Sequence, residues 1–337
     1  MSKLLITGGS GYLGSHLAIV LSKIGHQVIL YDNLSNSNYA SIEKLALVVG
    51  HSLPFVKGDV RDTELLANTL RSHCIDAVIH LAGLKAVGES VENPIAYYSH
   101  NVQGTISLLQ AMQEQAIKTL VFSSSATVYG EPQYLPLDES HPTTATNPYG
   151  RSKLHIEEML NDVTRSDAQW RIACLRYFNP VGAHESGLIG ENPSGIPNNL
   201  MPYIAQVAAG QRTVLSIYGD DYPTADGTGV RDYIHVMDLA EGHVAALNFL
   251  SQIPGWHAFN LGTGKGHSVF EMLGSFEKAS GRKVPFKVVA RRPGDIAECY
   301  ANPQKASAQL KWTAGRTLYE MCVSTWKFQQ RADPMEF

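Results

Sequence analysis

A doubly wound α/β fold, with a parallel sheet covered by helices on both faces and a smaller mixed α/β region after it, is the architecture this sequence predicts. Three observations carry that expectation. Short aliphatic and β-branched runs alternate with helical-period segments through the first half; a glycine cluster separates the first run from the first helix; and after about Asn179 the chain turns rich in Gly, Pro and Asn. The runs are Leu4-Leu5-Ile6, Gln27 to Tyr31, Pro54-Phe55-Val56, Ala77 to His80 and Thr119 to Ser123, with a first helix expected from about Gly14 to Ile24. Unbroken apolar runs of this length belong to strands buried on both faces. Two later runs, Asp232 to Val236 and Ala258 to Leu261, read the same way and predict a return to the first sheet. The expected division is 1–180, with a return at about 231–262, for the first domain, and 181–230 with 263–337 for the second.

Composition excludes several classes of function. The chain has 337 residues with 27 Lys plus Arg, 31 Asp plus Glu and a formal net charge of -4, so no basic surface for nucleic acid is expected. No run approaches the roughly 18 apolar residues of a membrane span, and no membrane partner is expected. Four cysteines lie far apart, in neither a zinc-ligand nor a disulfide pattern. The first strand begins almost at Met1, leaving no room for a leader, so a cytoplasmic location is expected.

Gly8-Gly9-Ser10-Gly11-Tyr12-Leu13-Gly14 follows the first strand and opens the first helix. It satisfies Gly-x-Gly-x-x-Gly from Gly9 and Gly-x-x-Gly-x-x-Gly from Gly8. That pattern allows a tight turn, close approach of backbone to a pyrophosphate, and an anion at a helix N-terminus. Asp32 ends the second strand, where a carboxylate binds an adenosine ribose, so the sheet is read as Rossmann-type. A carboxylate there repels a 2′-phosphate, which selects NAD over NADP. Asp59, ending the third strand, suits the adenine amino group, or merely stabilises its turn.

Tyr149-Gly-Arg-Ser-Lys153 places a phenol and an ammonium one helical turn apart. A phenol is protonated at neutral pH, and a nearby ammonium and a positive nicotinamide ring both favour the phenolate, which makes Tyr149 a base for a hydroxyl proton. Ser123-Ser124-Ser125 ends a predicted parallel strand, at the edge where such sheets bind ligands.

The sequence resembles the extended short-chain dehydrogenase/reductase superfamily, and within it the UDP-glucose 4-epimerase family, over essentially its whole length. The residues that carry the likeness are Thr7 to His16, Leu81 to Ser90, Phe122 to Gly130, Arg176 to Ala183, Pro197 to Tyr203 and Gly229 to Val236. The resemblance implies a UDP-sugar substrate, tightly held NAD, a homodimer, and a catalytic triad of Ser125, Tyr149 and Lys153. It places Gly8, Gly11, Tyr12, Leu13, Gly14, Asp32, Asn33, Asn36, Asp59 and Val60 along the adenosine and pyrophosphate of the cofactor. Leu81, Ala82, Gly83, Lys85, Asn101, Ser123, Tyr177 and Phe178 join Tyr149 and Lys153 toward its nicotinamide end. At His100-Asn101 many family members carry two asparagines, which leaves the contact there open. Substrate contacts are expected from Lys85, Ser125, Tyr149, Phe178, Asn179, Asn198, Asn199, Leu200, Tyr218, Arg231, Tyr233, Arg292, Asp295 and Cys299. The arginines are expected on the diphosphate and Tyr218 near the uridine. Asn198 or Asn199 alternatively orders its loop, and Arg231 alternatively pairs with Asp232.

The implied reaction inverts C4 of a UDP-hexose through a transient 4-keto sugar and enzyme-bound NADH. Family members confined to UDP-glucose and UDP-galactose tend to carry Tyr where this chain has Cys299, so the smaller thiol predicts room for an acetamido group and use of UDP-GlcNAc and UDP-GalNAc as well. Restriction to the plain hexoses is the alternative, the neighbouring Tyr300 being large enough to fill the same space. A nucleotide-sugar 4,6-dehydratase is a further alternative, but such relatives carry an Asp-Glu pair after the triad serine where this chain has Ala126-Thr127. For the dimer, the expected surface is the apolar stripes Val102, Ile106, Leu109, Met112 and Leu154, Ile156, Met159, Leu160, unless both stripes face the sheet.

Overall fold

The structure, a computed structural model, describes residues 1–193, 197–292 and 294–332. Its strands in chain order are β1 Lys3–Thr7, β2 Gln27–Asp32, β3 Phe55–Lys57, β4 Ala77–His80, β5 Thr119–Ser125, β6 Arg171–Tyr177, β7 Asn179–Val181, β8 Leu215–Tyr218, β9 Val230–His235, β10 Gly255–Leu261, β11 Gly266–Ser268, β12 Phe286–Val289 and β13 Glu298–Cys299. Seven of them form one sheet in the order β10-β6-β5-β4-β1-β2-β3, and each neighbouring pair is parallel. The strand order reverses at β1, which lies between β2 and β4, so a crevice opens above the carboxyl ends of β1 and β4.

Side chains alternate between the sheet's two faces, and both faces are dry. Leu4, Ile6, Ile79, Val121 and Leu175 pack on one side with Leu17, Leu21, Leu239 and Ala246, whereas Leu5, Ile29, Val78, Leu120 and Ile172 pack on the other with Leu66, Leu108, Met112 and Leu160. This double burial is why the strands read as unbroken apolar runs. Each fully buried Leu or Ile contributes about 1.5–3 kcal/mol relative to exposure. Leu109, Met112, Ile156 and Leu160 belong to this second cluster, so those members of the two helical stripes face the sheet.

Of the two later runs expected to rejoin the first sheet, β10 does so by pairing with β6. β9 does not: it pairs with β7, β11 and β13 in a separate four-stranded sheet. Asp232, fully buried on β9, explains the placement, because its carboxylate accepts hydrogen bonds from the backbone of Thr263, Gly264 and Ala301 and so ties the strand to the surrounding loops. The chain then re-enters the first lobe through the helix Val236–Gln252, whose Leu239, Ala240 and Leu250 cover the large sheet. A two-stranded parallel sheet, β8 with β12, completes the second lobe.

Candidate active site

Between β1 and the helix Tyr12–Lys23 the chain turns through Gly8, whose φ of 70° favours glycine. A Cβ on Gly8 would lie 2.9 Å from the backbone nitrogen of Ala82, in the turn after β4, and one on Gly14 would strike the Gly8 carbonyl oxygen. The two turns at the switch point therefore touch backbone to backbone. The helix begins at Tyr12, slightly before the expected Gly14, with no side chain capping its start. Asp32 is buried at the end of β2 and accepts from the backbone nitrogens of Ser10 (3.1 Å) and Leu34 (2.9 Å). A glycine-rich turn, an uncapped helix start and an inward carboxylate at the end of the next strand fit the pyrophosphate and ribose of a dinucleotide.

The other expected cofactor residues surround this turn. Tyr12 donates to the carbonyl of Gly182 (2.7 Å) across the crevice, Leu13 is half-buried, and Asn36 is exposed. Asn33 reaches Asp59 (3.4 Å), and Val60 is buried. Asp59 is already engaged: Arg61 grips its carboxylate through Nε (2.9 Å) and Nη2 (2.8 Å) and holds it well below the usual carboxylate range. Asn101 is engaged too. It sits in a π-helical turn, Tyr98–Gln103, accepts from the nitrogen of Leu84 (2.8 Å) and donates to the Leu84 carbonyl (3.1 Å) and Ser152 Oγ (3.0 Å). Its amide thus orders the turn beyond Leu81-Ala82-Gly83 against the next helix. His100 holds only the carbonyl of Ala96 (2.9 Å).

That helix, Pro148–Ser166, carries the Tyr-x-x-x-Lys pattern. Asn147 caps it by accepting from the Gly150 nitrogen (2.9 Å), and Pro148 supplies a preset φ at the first position. A Cβ on Gly150 would come within 2.7 Å of the Thr127 carbonyl, so the helix start lies directly on the turn that follows Ser125. Tyr149 is half-buried there and hydrogen-bonds Ser125, whose Oγ also accepts from Thr127 Oγ1 (2.9 Å). Lys153 is 4% exposed; its Nζ donates to the Ser123 carbonyl (2.7 Å) and lies 6.0 Å from the centre of the Tyr149 ring. Ser125, Tyr149 and Lys153 are thus brought together at the end of β5.

The electrostatics differ from the expectation in one respect. Burial raises the Tyr149 phenol above its ordinary value, with the Ser125 hydrogen bond opposing it, and the same burial lowers Lys153 to about 8. Desolvation outweighs the ammonium's pull because the ammonium donates to a carbonyl and stays 6.0 Å from the ring centre. Below this pair, Tyr177 donates to His243 Nε2 (2.5 Å), and His243 Nδ1 faces the Leu239 carbonyl.

Across the crevice, Phe178 and Cys299 are buried in one apolar cluster with Ala126, the residue after Ser125. Cys299 stands opposite Arg231 in the β13–β9 register. Arg231 makes no pair with Asp232; its Nη1 donates to the carbonyls of Val230 (2.9 Å) and Ala297 (3.3 Å). Arg292 lies 4.6 Å from the centre of the exposed Tyr218 ring and 3.0 Å from Asp295. Tyr233 is buried on β9, within the field of both arginines. Asn179 begins β7, Leu200 begins the helix Leu200–Ala208, and Asn198 is exposed just before it. Sequence reasoning missed Glu191, whose Oε1 accepts from both Lys85 Nζ (3.0 Å) and Asn199 Nδ2 (2.8 Å). It lies between two expected substrate residues in a loop without a motif.

Fold and site together define an NAD-dependent enzyme of the extended short-chain dehydrogenase type, and comparison with known proteins narrows this. A family model described as GDP-mannose 4,6 dehydratase matches residues 5–325. A UDP-glucose 4-epimerase of Mus musculus is 54% identical over 338 residues, covering 98% of this chain and 97% of that protein. A UDP-glucose 4-epimerase of Bifidobacterium longum, solved in complex with NAD+ and UDP, superposes with a TM-score of 0.96 at 49% identity over 100% of both chains. The Stenotrophomonas maltophila enzyme, solved with NAD and formylated UDP-arabinopyranose, has the same TM-score and 49% identity, over 98% of this chain and 99% of that one. The chain belongs to the UDP-glucose 4-epimerase family. Its cofactor is NAD and its substrate a UDP-sugar. The Ala126-Thr127 pair, with no acid beside Ser125, agrees with an epimerase over the dehydratase reaction in the family model's description.

Proposed function

We propose that the enzyme interconverts UDP-glucose with UDP-galactose, and UDP-N-acetylglucosamine with UDP-N-acetylgalactosamine, by inverting C4 through a transient 4-keto sugar. NAD, when bound, supplies the redox chemistry at C4 and is regenerated within each turnover. The chain's own residues do the rest. Tyr149 takes the 4-hydroxyl proton and gives it back, Ser125 hydrogen-bonds the same hydroxyl, and Lys153 holds the tyrosine's charge. Gly8, Gly11, Gly14 and Asp32 hold the dinucleotide, while Arg231 and Arg292 grip the diphosphate firmly enough to let the keto-hexose turn.

The observation that carries acetamido tolerance is the place of Cys299. Its small side chain packs with Phe178 and Ala126, the residue after Ser125, and on this reading leaves room where a tyrosine ring would crowd the sugar. The neighbouring Tyr300, the competing candidate for that space, lies instead along β11, 3.2 Å from where a Cβ on Gly266 would stand. The test is to incubate the protein separately with UDP-galactose and UDP-N-acetylgalactosamine and resolve the products. Both should epimerise, and Cys299→Tyr should suppress only the acetamido reaction. Absence of acetamido activity in the parent, or equal loss of both, overturns the reading.

A homodimer and a cytoplasmic location belong to the same proposal. The outer face of the helix Pro148–Ser166, where His155, Met159 and Val163 line a shallow groove of about 530 Å³, is the side open to a partner copy. Light scattering should give twice the 36.8 kDa chain mass at micromolar concentration; the single mass contradicts it. All four cysteines are unpaired, in keeping with a reducing compartment, and among the described residues no helix is long and apolar enough to cross a membrane.

A further inference from the structure

Behind the triad lies a buried polar network that the reaction as proposed does not use. Glu157, one helical turn beyond Lys153, is 2% exposed and Arg176 on β6 is 4% exposed. Arg176 Nε donates to Glu157 Oε1 (3.0 Å) and Nη2 to Oε2 (2.6 Å), while Ser124 Oγ donates to Oε1 (2.5 Å). The guanidinium continues outward: Nη1 donates to the Tyr129 hydroxyl (3.0 Å), which donates to Asn260 Oδ1 on β10 (2.6 Å). Ser124 is the neighbour of Ser125, and Arg176 the neighbour of Tyr177. One carboxylate thus links the catalytic helix to the ends of the two strands beneath it.

We propose that Glu157, fixed by Arg176 and Ser124, is a positioning residue that supplies the negative charge against which the Lys153 ammonium is kept in a buried site. The inference rests on the catalytic reading of Tyr149 and Lys153.

The surroundings of the ammonium support it. From its own helix Lys153 faces Tyr149 and Glu157; from β5 the Ser123 carbonyl and, at 4.8 Å, the Phe122 ring; from β6 Cys174 and the Arg176 guanidinium paired with Glu157; and from β4 His80. Burial drives His80 down to about 3, so it is neutral, and holds the Cys174 thiol well above its ordinary value, so it is not an anion. Tyr149 is raised by burial as well. Glu157 is left as the carboxylate that opposes the desolvation lowering Lys153. An apolar pair of similar volume would pack here without that charge. The role assigned to the pair is therefore electrostatic and geometric, and separable from stability.

The experiment uses the NAD-loaded enzyme and measures kcat against pH. Glu157→Gln keeps the shape and removes the charge, and the alkaline limb, where Lys153 loses its proton, should move down by about one pH unit, the size of a neighbouring-charge effect. Because Glu157→Gln leaves Arg176 buried without its anion, the double variant Glu157→Gln/Arg176→Met is measured beside it; it should fold with NAD bound and show a limb displaced in the same direction by less, since the opposing Arg176 charge goes too. Tyr129→Phe, which cuts only the outward branch, should leave the limb where it is. A folded double variant with the parental limb overturns the inference. Retained activity in Lys153→Met would instead overturn the catalytic reading, so the two failures are told apart.

Discussion

At the carboxyl end of the seven-stranded sheet, the groups around Tyr149, the proposed base, are buried and bonded to backbone or to one another: Lys153 to the Ser123 carbonyl, Asn101 to Leu84, Tyr177 to His243. On the side proposed for the nucleotide sugar Arg231 is half-buried against backbone carbonyls, but two other cations are exposed and held by carboxylates: Arg292 lies on Asp295 and Lys85 on Glu191, with side-chain exposures of 48% and 58%. The first arrangement is rigid before any ligand arrives. The second exchanges one anionic partner for another when a diphosphate enters, and exposed pairs of this kind are worth only about 0–1 kcal/mol, so the exchange is cheap. Under the proposed reaction the cofactor stays through every turnover and the sugar nucleotide leaves each time, which this division suits. The rigid half holds the chemistry, and the exchangeable half sets affinity.

The sharpest way to break this contrast is to change the rigid side without disturbing its packing. Tyr149→Phe should lower turnover by roughly 10² to 10⁴ while NAD content, read from the absorbance of the purified protein, is unchanged. Residual activity above about a tenth contradicts the assignment of the base.

Acid should dismantle the rigid half next. His16, His80 and His243 are essentially fully buried in the first lobe, and desolvation holds them at about 3, 3 and 4, against 6.5 for the unfolded chain. A histidine with a depressed folded value adds stability above the unfolded value, and that stability is lost as pH falls toward the folded one. At pH 5 each such histidine costs about 2 kcal/mol, so the melting temperature should drop steeply between pH 6.5 and 4. A flat profile across that window argues against neutral buried rings.

On the exchangeable side, Arg292→Ala should raise KM for the UDP-sugar by about 10-fold or more with NAD content intact, the loss of one charge-assisted phosphate contact. A fall in kcat with unchanged KM would place the residue in the wrong half. The smallest effect belongs to Glu191→Gln. It removes the anion that holds Lys85 and Asn199, and KM should fall by less than about 3-fold; a rise would make Glu191 a substrate contact in its own right.

How much of this was legible in the sequence follows the same line. Backbone-determined features were readable, because a strand buried on both faces must be apolar and a pyrophosphate turn must be glycine. The common placement of Tyr149 and Lys153 was readable because Asn147-Pro148 starts a helix and sets both on one face. What escaped were partners brought together from far along the chain. Nothing in the loop around Glu191 reveals that Lys85 will reach it, and Glu157 looks like any solvated helix residue until Arg176 lies across it. The β9 strand failed for a related reason. Its apolar run resembles β10, but the partners of buried Asp232 lie at 263, 264 and 301, and a run of hydrophobic residues does not announce them.

The π-helical turn at Tyr98–Gln103 makes the spacing of the chain, and not only its composition, a condition of the site. Such a turn holds one residue more than an α-helix offers over the same stretch. Deleting a single residue there would relax it to ordinary helix, a change that looks harmless locally. It would also rotate Asn101 by about 100° about the helix axis, away from Leu84 and Ser152, and free the loop beneath Gly83. Sequence drift in this segment is therefore limited to substitutions, and a one-residue gap marks a descendant that has given up this anchor.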